Sequence, residues 1–156
     1  QKLLAEDVTA QLRGTPDREP IDFMSTHPDA YRQLADPEAL EAIREIEARL
    51  SARGRLYLPE DRIAAASASI REGDIIAATS TVPGLDVAHT GIAIRVNGEL
   101  RLMHAPLVGE AVQISERTLA DRILGIDGQD GIIVARPLEP LGGGRDVGRA
   151  PGREGS

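Results

Sequence analysis

The sequence predicts an α+β fold in which N-terminal helices are followed by an antiparallel β-sheet. Within the first 70 residues, apolar side chains recur at three- and four-residue steps, which is the period of an α-helix. In the second half, short apolar runs of strand length alternate with turn residues. One of these turns is the pair Asn97-Gly98, and an Asn-Gly pair between two apolar runs is the strongest short-range signal for a β-hairpin.

The N-terminal segment, residues 2–13, predicts a helix because its apolar residues lie four apart along the chain (Leu4, Val8 and Leu12). Residues 14–22 contain two prolines and are predicted to form a loop. A short helix is expected to follow, with Thr26 or His27 as its N-cap and Pro28 in its first turn.

The clearest helical signal covers residues 37–53. Asp36 is the predicted N-cap, Pro37 occupies the first helical position, and Gly54 follows the end of the segment. Its apolar residues recur at helical spacing (Leu40, Ile43, Ile46 and Leu50). Its polar face carries Glu and Arg side chains at ion-pairing distances along the helix, so it is expected to face solvent. A further helix is predicted over residues 59–70.

The second half of the chain predicts five strands and one short helix. The strands cover residues 74–80, 89–96, 99–106, 111–115 and 131–138, and the helix covers residues 116–125. From Gly142 onward, glycine and charged residues dominate, and nothing there can be buried. We therefore expect a domain over residues 1–140 and a disordered tail over residues 141–156.

The composition excludes several classes of function. The chain has 156 residues, which corresponds to about one domain. Its formal net charge is −7, which argues against nucleic acid as the main partner. No apolar run approaches the ~20 residues that span a bilayer. The chain contains no cysteine, so it holds no disulfide, no thiolate zinc site and no thiol nucleophile of its own. The sequence leaves the oligomeric state unknown.

Two of the three histidines lie on the predicted hairpin, and the turn fixes their register. With Asn97 and Gly98 as turn residues, Val96 pairs with Glu99, and His104 lies opposite Gly91. Because side chains alternate along a strand, His89 and His104 share one face as diagonal neighbours, about 7–8 Å apart at the backbone. A glycine at position 91 is expected to leave space for the His104 ring.

Three interpretations of this histidine pair remain open from the residues alone. One imidazole can act as a general base while the other orients it through a ring N–H bond. The pair can also bind a metal, with a third ligand from Asp86 or Asp74, although no recognised metal-binding spacing is present. Finally, both can be partly buried histidines that bond to the backbone.

Other polar residues have competing structural and functional interpretations. Ser25 and His27 are expected to cap a helix, with a substrate contact as the alternative. Gly73-Asp74 predicts a turn in which the Asp74 carboxylate accepts bonds from nearby backbone amides. Arg95 and Arg101 are either solvated strand residues or ligands for a substrate carboxylate.

Several segments together resemble the N-acetylmuramoyl-L-alanine amidase-like family, a branch of the NlpC-type papain-like cell-wall cysteine peptidases. The resemblance covers about residues 1–140, and its motifs occur in order along the chain: FMSTHPDAY (23–31), YLPEDRI (57–63), REGDIIAATSTVPGLDVAHTGIAI (71–94), LRLMHAP (100–106), AVQIS (111–115) and GIIVARPLEP (131–140). It implies the papain-like half that follows the nucleophile, made of helices and an antiparallel meander or barrel-like sheet.

The resemblance also implies a function. Such enzymes are exported from bacteria and hydrolyse an amide bond of peptidoglycan or muropeptides by a Cys-His-His mechanism, without a cofactor. Carried onto this chain, His89 is the base, His104 orients it, and Asp86 lies beside the base, where it contacts substrate or holds the loop.

The family's cysteine precedes the first helix of this chain, so we expect the chain to be the C-terminal part of a larger enzyme. By itself it should be inactive, marginally stable and left with an apolar face uncovered. The alternative is a non-catalytic module that binds peptidoglycan fragments.

Overall fold

The computed structural model describes residues 4–17, 19–106 and 111–138. These residues form a sheet and four α-helices. The strands are β1 Ala5–Asp7, β2 Thr15–Asp17, β3 Arg55–Pro59, β4 Ile75–Ser80, β5 Val87–Val96, β6 Glu99–His104, β7 Gln113–Ile114 and β8 Gln129–Pro137. The helices are α1 Phe23–Thr26, α2 Pro37–Arg53, α3 Glu60–Ala66 and α4 Leu119–Leu124. The fold is therefore α+β, as predicted.

All strand pairs of the sheet are antiparallel, in the order β2-β3-β8-β4-β5-β6-β7. Strands β4 to β7 form the predicted meander. The last strand, β8, returns to the middle of the sheet, where it pairs with β4 on one edge. On its other edge β8 pairs with β3 near its start and with β1 near its end. β8 therefore joins β1 and β3, from the first half of the sequence, to β4 of the meander.

The hydrophobic core lies on one face of this sheet, beneath α3 and α4. Side chains that are at most 1% exposed come from both the sheet and these two helices: Leu58, Ile63, Ile76, Leu102, Leu119, Ile123, Ile132 and Val134. All eight are branched aliphatic side chains, as expected for a sequence with only three aromatic residues. The core therefore fixes the positions of β6 and α4, the elements next to the histidine pair.

The predictions for the first 22 residues are wrong in two places. Residues 2–13 do not form a helix: the described part contains β1 and a 3-10 helix over Thr9–Leu12. Residues 14–22 are not only loop, because β2 pairs with β3. Two of the three apolar residues that predicted a helix, Val8 and Leu12, are nevertheless buried, whereas Leu4 is 84% exposed. Pairing with strands from distant parts of the sequence has overridden the local helical pattern.

The longest helix, α2, is confirmed with its predicted ends. The Asp36 carboxylate accepts a hydrogen bond from the Glu38 amide at 3.0 Å, and Gly54 follows with φ +64°. Its apolar stripe is only partly covered, since Ile46 and Leu50 are 39% and 37% exposed. The helix thus lies at the periphery of the domain.

The other predicted elements, from residue 59 onward, agree with the structure within a few residues. The predicted helix over residues 59–70 is α3 followed by a 3-10 turn over Ser67–Ser69. The strand predicted over residues 111–115 is shorter in the structure, where it covers only β7. Residues 141–156, predicted to be a disordered tail, lie outside the described residues. No described helix has the length and apolarity needed to cross a membrane.

The opposite face of the sheet carries apolar side chains that are only half buried. Ile75 on β4, Ile92 on β5 and Met103 on β6 lie side by side in the observed register. Together with Val112, which is 65% exposed, they line an apolar cleft of about 710 Å³. The described residues therefore present an incompletely covered apolar face.

Gly91 is required where β5 and β6 approach each other, and we expect Gly91→Ala to destabilise the domain by about 1–3 kcal/mol. A Cβ at this position would lie 2.7 Å from both the Leu102 Cδ1 atom and the Met103 carbonyl oxygen. The carbonyl belongs to the strand backbone and cannot move aside. Urea unfolding of the two proteins measures the difference. Equal stability of Gly91→Ala and the parent chain would contradict this account.

Candidate active site

The β5–β6 hairpin has the predicted register. Asn97 and Gly98 both adopt positive φ, at 53° and 84°, as a two-residue hairpin turn requires. Val96 pairs with Glu99, and the pairing continues to Ile92 opposite Met103. The face of the hairpin that carries His104 points inward, and four of its residues are buried: Ala93, Leu100, Leu102 and His104.

His89 and His104 are in direct contact. The His89 Nε2 atom lies 2.9 Å from the His104 Nδ1 atom, and the two rings meet edge to face with centroids 5.0 Å apart. His104 is 4% exposed, whereas His89 is only half buried. When both rings are neutral, one nitrogen of this bond donates and the other accepts.

The prediction that Gly91 leaves space for the His104 ring is wrong. The nearest atoms around Gly91 belong to Leu102 and to the Met103 backbone, not to the His104 ring. The glycine therefore accommodates the Leu102 side chain and the close approach of the two strands, because the imidazole of His104 turns toward His89 instead.

The surroundings favour the neutral form of both rings. Burial lowers the pKa of His89 below its usual value, and the positive charge of Arg122 lowers it further. Burial and Arg122 lower the pKa of His104 in the same way, with a smaller contribution from His89. A neutral imidazole has a free lone pair at neutral pH, which is the state that a general base needs.

These pKa shifts predict that the domain loses stability as the pH falls. Because the folded pKa values lie below the unfolded value of about 6.5, the unfolded chain takes up protons first. We therefore expect the free energy of unfolding to decrease from pH 6.5 downward, until the folded rings also titrate. Urea unfolding between pH 7.5 and pH 5 measures this slope, and the double variant His89→Gln, His104→Gln should flatten it. An unchanged slope in the double variant would contradict the assignment.

Asp86 does not join the histidine pair. It lies in the loop before β5 and does not line either of the two cavities beside the histidines. Among the described residues, its carboxylate has no hydrogen-bond or ion-pair partner. The sequence placed it close to His89 along the chain, but the structure does not turn it into the cleft.

Ser25 and His27 also lie away from the pair, on and just after α1. His27 is the N-cap residue of the 3-10 helix Pro28–Ala30, with Pro28 in its first turn as predicted, although its side chain makes no capping bond. The capping role expected for Ser25 is wrong. The Ser25 hydroxyl donates to the Asp22 carbonyl at 3.3 Å, and the His27 ring stacks on Phe23. The N-terminal amides of α1 donate instead to Glu47 of α2, with the Met24 amide 2.9 Å from its Oε1 atom. Glu47 is buried, and its partner is 23 residues away, so no local signal identified it.

The remaining polar candidates have structural partners. Asp74 accepts from the Arg71 amide at 2.8 Å, as predicted, and also pairs with Arg136 at 2.7 Å. The Arg95 guanidinium donates to the Ser67 carbonyl at 2.8 Å, and Arg101 pairs with Glu99 at 2.7 Å, so both arginines have partners within the chain.

The metal interpretation finds no ligand set in the described part of the chain. Across residues 4–17, 19–106 and 111–138, there is no group of three His, Cys, Asp or Glu side chains that could hold a metal ion. Asp74, the suggested third ligand, is buried in its ion pair with Arg136.

A second cavity of about 310 Å³ borders His104 on the side of α4. Its lining includes Ser115, Arg117 and Arg122. No sequence pattern indicated these residues as site candidates, because they lie in or just before a short predicted helix whose pattern indicates only packing. Arg122 is brought to the site by the docking of α4 against the core, which sequence reasoning did not foresee.

Comparison with solved structures shows close relatives of this fold. A crystal structure of an N-acetylmuramoyl-L-alanine amidase from Bacteroides uniformis is 37% identical, with a TM-score of 0.81 over 87% of this chain and 58% of that one. A Bacteroides fragilis protein described as a candidate xylanase is 36% identical, with a TM-score of 0.78 over 85% of this chain and 58% of that one. Protein LPG0564 from Legionella pneumophila shares the fold at 19% identity and a TM-score of 0.53, over 87% of this chain and 57% of that one.

The chain therefore spans little more than half the length of these relatives. No curated protein matches it. The profile of one protein family, described as N-acetylmuramoyl-L-alanine amidase-like (AmiA-like), matches residues 1–128. This match covers most of the chain and includes both histidines. The chain belongs to the N-acetylmuramoyl-L-alanine amidase-like family, and its fold is that of a cell-wall amidase-like domain.

Proposed function

We propose that this chain is the base-bearing part of a cysteine amidase of the NlpC-type, papain-like class that hydrolyses an amide bond of peptidoglycan. The bond is the one the family name specifies, between the lactyl carboxyl group of N-acetylmuramic acid and L-alanine. The observation that carries this proposal is the 2.9 Å contact between the His89 Nε2 and His104 Nδ1 atoms. This contact leaves the Nδ1 atom of His89 without a hydrogen-bond partner among the described residues.

From the geometry of this contact we assign different roles to the two histidines. With its proton on Nε2, His89 donates to the His104 Nδ1 atom and keeps the lone pair on its own Nδ1 atom. When His89 takes up a proton, its positive charge is stabilised by the same hydrogen bond, because the His104 lone pair already points at Nε2. His104 is nearly fully buried and held on a core strand, so it orients the more exposed His89.

The chain has no cysteine, and we propose that the thiol comes from a segment that precedes Gln1 in the gene product. His89 takes the thiol proton, and the thiolate attacks the lactyl carbonyl carbon. The C–N bond then breaks as His89 returns the proton to the departing amine of L-alanine, which leaves a thioester. A water molecule, deprotonated by His89, hydrolyses this thioester and releases the muramic acid carboxylate and the thiol.

The cavities beside the histidines favour amide hydrolysis over glycoside hydrolysis. A glycosidase normally places two carboxyl groups on either side of the scissile bond. Among the described residues, the apolar cleft has no acidic lining residue, and the second cavity has only Glu116, which is exposed. The description of one relative as a candidate xylanase thus finds no support in this site. The substrate places the protein outside the bacterial cytoplasm, and we propose that it is exported.

The test is hydrolysis of N-acetylmuramoyl-L-alanyl peptides by the full-length product of the gene, together with the sequence encoded before Gln1. A cysteine at the start of an apolar helix, release of the L-alanine amino terminus and inhibition by a thiol alkylating agent are the expected results. If no cysteine is encoded there and no hydrolysis occurs, the enzyme is excluded. Binding of the same peptides without hydrolysis would then establish the non-catalytic module as the function.

A further inference from the structure

The second cavity, on the α4 side of His104, has a positively charged wall in a chain whose net charge is −7. Its lining contains two arginines, Arg117 and Arg122, and one acidic residue, the exposed Glu116. Because His104 borders this cavity and also contacts His89, a molecule bound there is separated from the proposed base by the His104 side chain.

Arg122 differs from the other half-buried arginines of the described chain in having no hydrogen-bond or ion-pair partner for its guanidinium, whereas Arg62 and Arg95, which also lack an ion pair, each donate to a backbone carbonyl at 2.8 Å. Arg101 and Arg136 each form an ion pair with a carboxylate at 2.7 Å. The Arg122 guanidinium forms no hydrogen bond or ion pair with another described residue, and its Nε atom is buried. Burial alone lowers the pKa of Arg122, whereas the pKa of Arg136 is raised mainly by its hydrogen bond with Asp74. Holding a partly desolvated cation without an anion is unfavourable, and a bound anion would offset that cost.

Arg122 is nevertheless held in a fixed place. Its helix is anchored by Leu119 and Ile123, both 0% exposed, and the Thr118 hydroxyl caps the helix by accepting from the Asp121 amide at 3.2 Å. The Arg122 amide donates to the Thr118 carbonyl at 2.9 Å. The backbone beneath the guanidinium is therefore rigid, which lowers the entropic cost of binding an anion there.

Arg117 lies on the same cavity wall and is positioned by two further contacts. The Ser115 hydroxyl donates to the Arg117 carbonyl at 2.8 Å and accepts from the Leu102 amide at 3.1 Å. The Arg117 Nη1 atom lies 2.8 Å from where a Cβ of residue 125 would be, so Gly125 leaves room for this guanidinium. The loop before α4 is thus tied to the core strand that carries His104.

From these observations we propose that Arg122 is a specificity-determining residue that binds a carboxylate of the peptide portion of the substrate. The inference rests on the proposed amidase function. Next to the muramoyl–L-alanine bond, a peptidoglycan stem continues with D-glutamate, whose α-carboxylate is in some peptides converted to a carboxamide. A guanidinium with a free planar edge binds a carboxylate through two parallel hydrogen bonds and binds a carboxamide less well.

The experiment uses the full-length gene product, with the proposed nucleophilic cysteine replaced by serine so that the ligands stay intact, and two ligands that differ in one group. Isothermal titration calorimetry compares N-acetylmuramoyl-L-alanyl-D-glutamate with N-acetylmuramoyl-L-alanyl-D-isoglutamine, in which the α-carboxylate is a carboxamide. We expect the acid to bind at least about tenfold more tightly. Arg122→Gln should abolish this preference by lowering the affinity for the acid ligand. Arg122→Lys should retain part of the preference, because it keeps the charge without the paired donors.

Arg44→Gln, at an exposed position on α2, is the matched control and should keep the full preference. Thermal unfolding shows whether the Arg122 variants fold, and NMR titration gives a second readout. Since Arg122 lowers the pKa of both histidines, these pKa values should rise in Arg122→Gln.

Two results would overturn the proposal for Arg122 alone: equal binding of both ligands by the parent chain, or a preference that survives in Arg122→Gln. Binding of neither ligand would overturn the proposed substrate class, and the carboxylate site with it.

Discussion

His89→Ala in the full-length gene product is expected to lower kcat by about 10²–10⁴-fold, with KM nearly unchanged. The ring of His89 takes the thiol proton and returns it to the leaving amine, and no other described side chain in the cleft has a nitrogen base in that position. The variant should fold, because His89 is only half buried. Steady-state hydrolysis of N-acetylmuramoyl-L-alanyl peptides measures both constants.

The companion variants at His104 separate orientation from proton transfer. His104→Ala removes the acceptor for the His89 Nε2–H group and should lower kcat, whereas His104→Gln provides an amide oxygen as a replacement acceptor and should recover part of the rate. His27→Ala is the matched histidine control, since that ring stacks on Phe23 outside both cavities. A His89→Ala enzyme with the parent kcat, or one impaired only in KM, would rule out His89 as the base.

Asp74→Asn is expected to cause the largest loss of stability, about 3–5 kcal/mol at neutral pH. Asp74 is 1% exposed, and its carboxylate accepts from the Arg136 Nε and Nη2 atoms at 2.9 and 2.7 Å. It also accepts from the Arg71 amide at 2.8 Å, at the turn that leads into β4. An asparagine presents only one acceptor to these three donors and leaves Arg136 without its counter-charge. Urea unfolding at pH 7 measures the difference.

The lowered pKa of Asp74 also predicts how the stability of the domain changes with pH. Burial raises its pKa, but the hydrogen bonds and charges of Arg136 and Arg71 outweigh that effect and hold it below its usual value. A carboxyl group with a lowered folded pKa stabilises the protein above its unfolded pKa of about 3.9, and that stabilisation is lost as the pH falls through the folded pKa. Asp74→Asn should lack this part of the acid transition. Glu99→Gln, which breaks the more exposed ion pair with Arg101, should change stability by less than about 1 kcal/mol.

The sequence by itself determined the parts of the protein that depend on neighbouring residues. The Asn97-Gly98 turn set the hairpin register because its two residues adopt positive φ with little strain, and the alternation of side chains then placed His89 and His104 on one face. The cap and stop residues of α2 acted in the same local way. The family resemblance added the interpretation of the two histidines as base and orienting residue, which remains a prediction.

Only the tertiary structure decided the features whose partners lie far apart in the chain. Residues 5–7 form a strand because they pair with an edge of β8, about 130 residues later in the sequence. Glu47 caps a helix 22 to 23 residues away, and Arg136 reaches Asp74 across 62 residues. Arg122 stands beside the histidines only because Leu119 and Ile123 bury α4 in the core. Local sequence patterns do not predict such pairings, because the pairings depend on loop closure and core packing between distant segments of the chain.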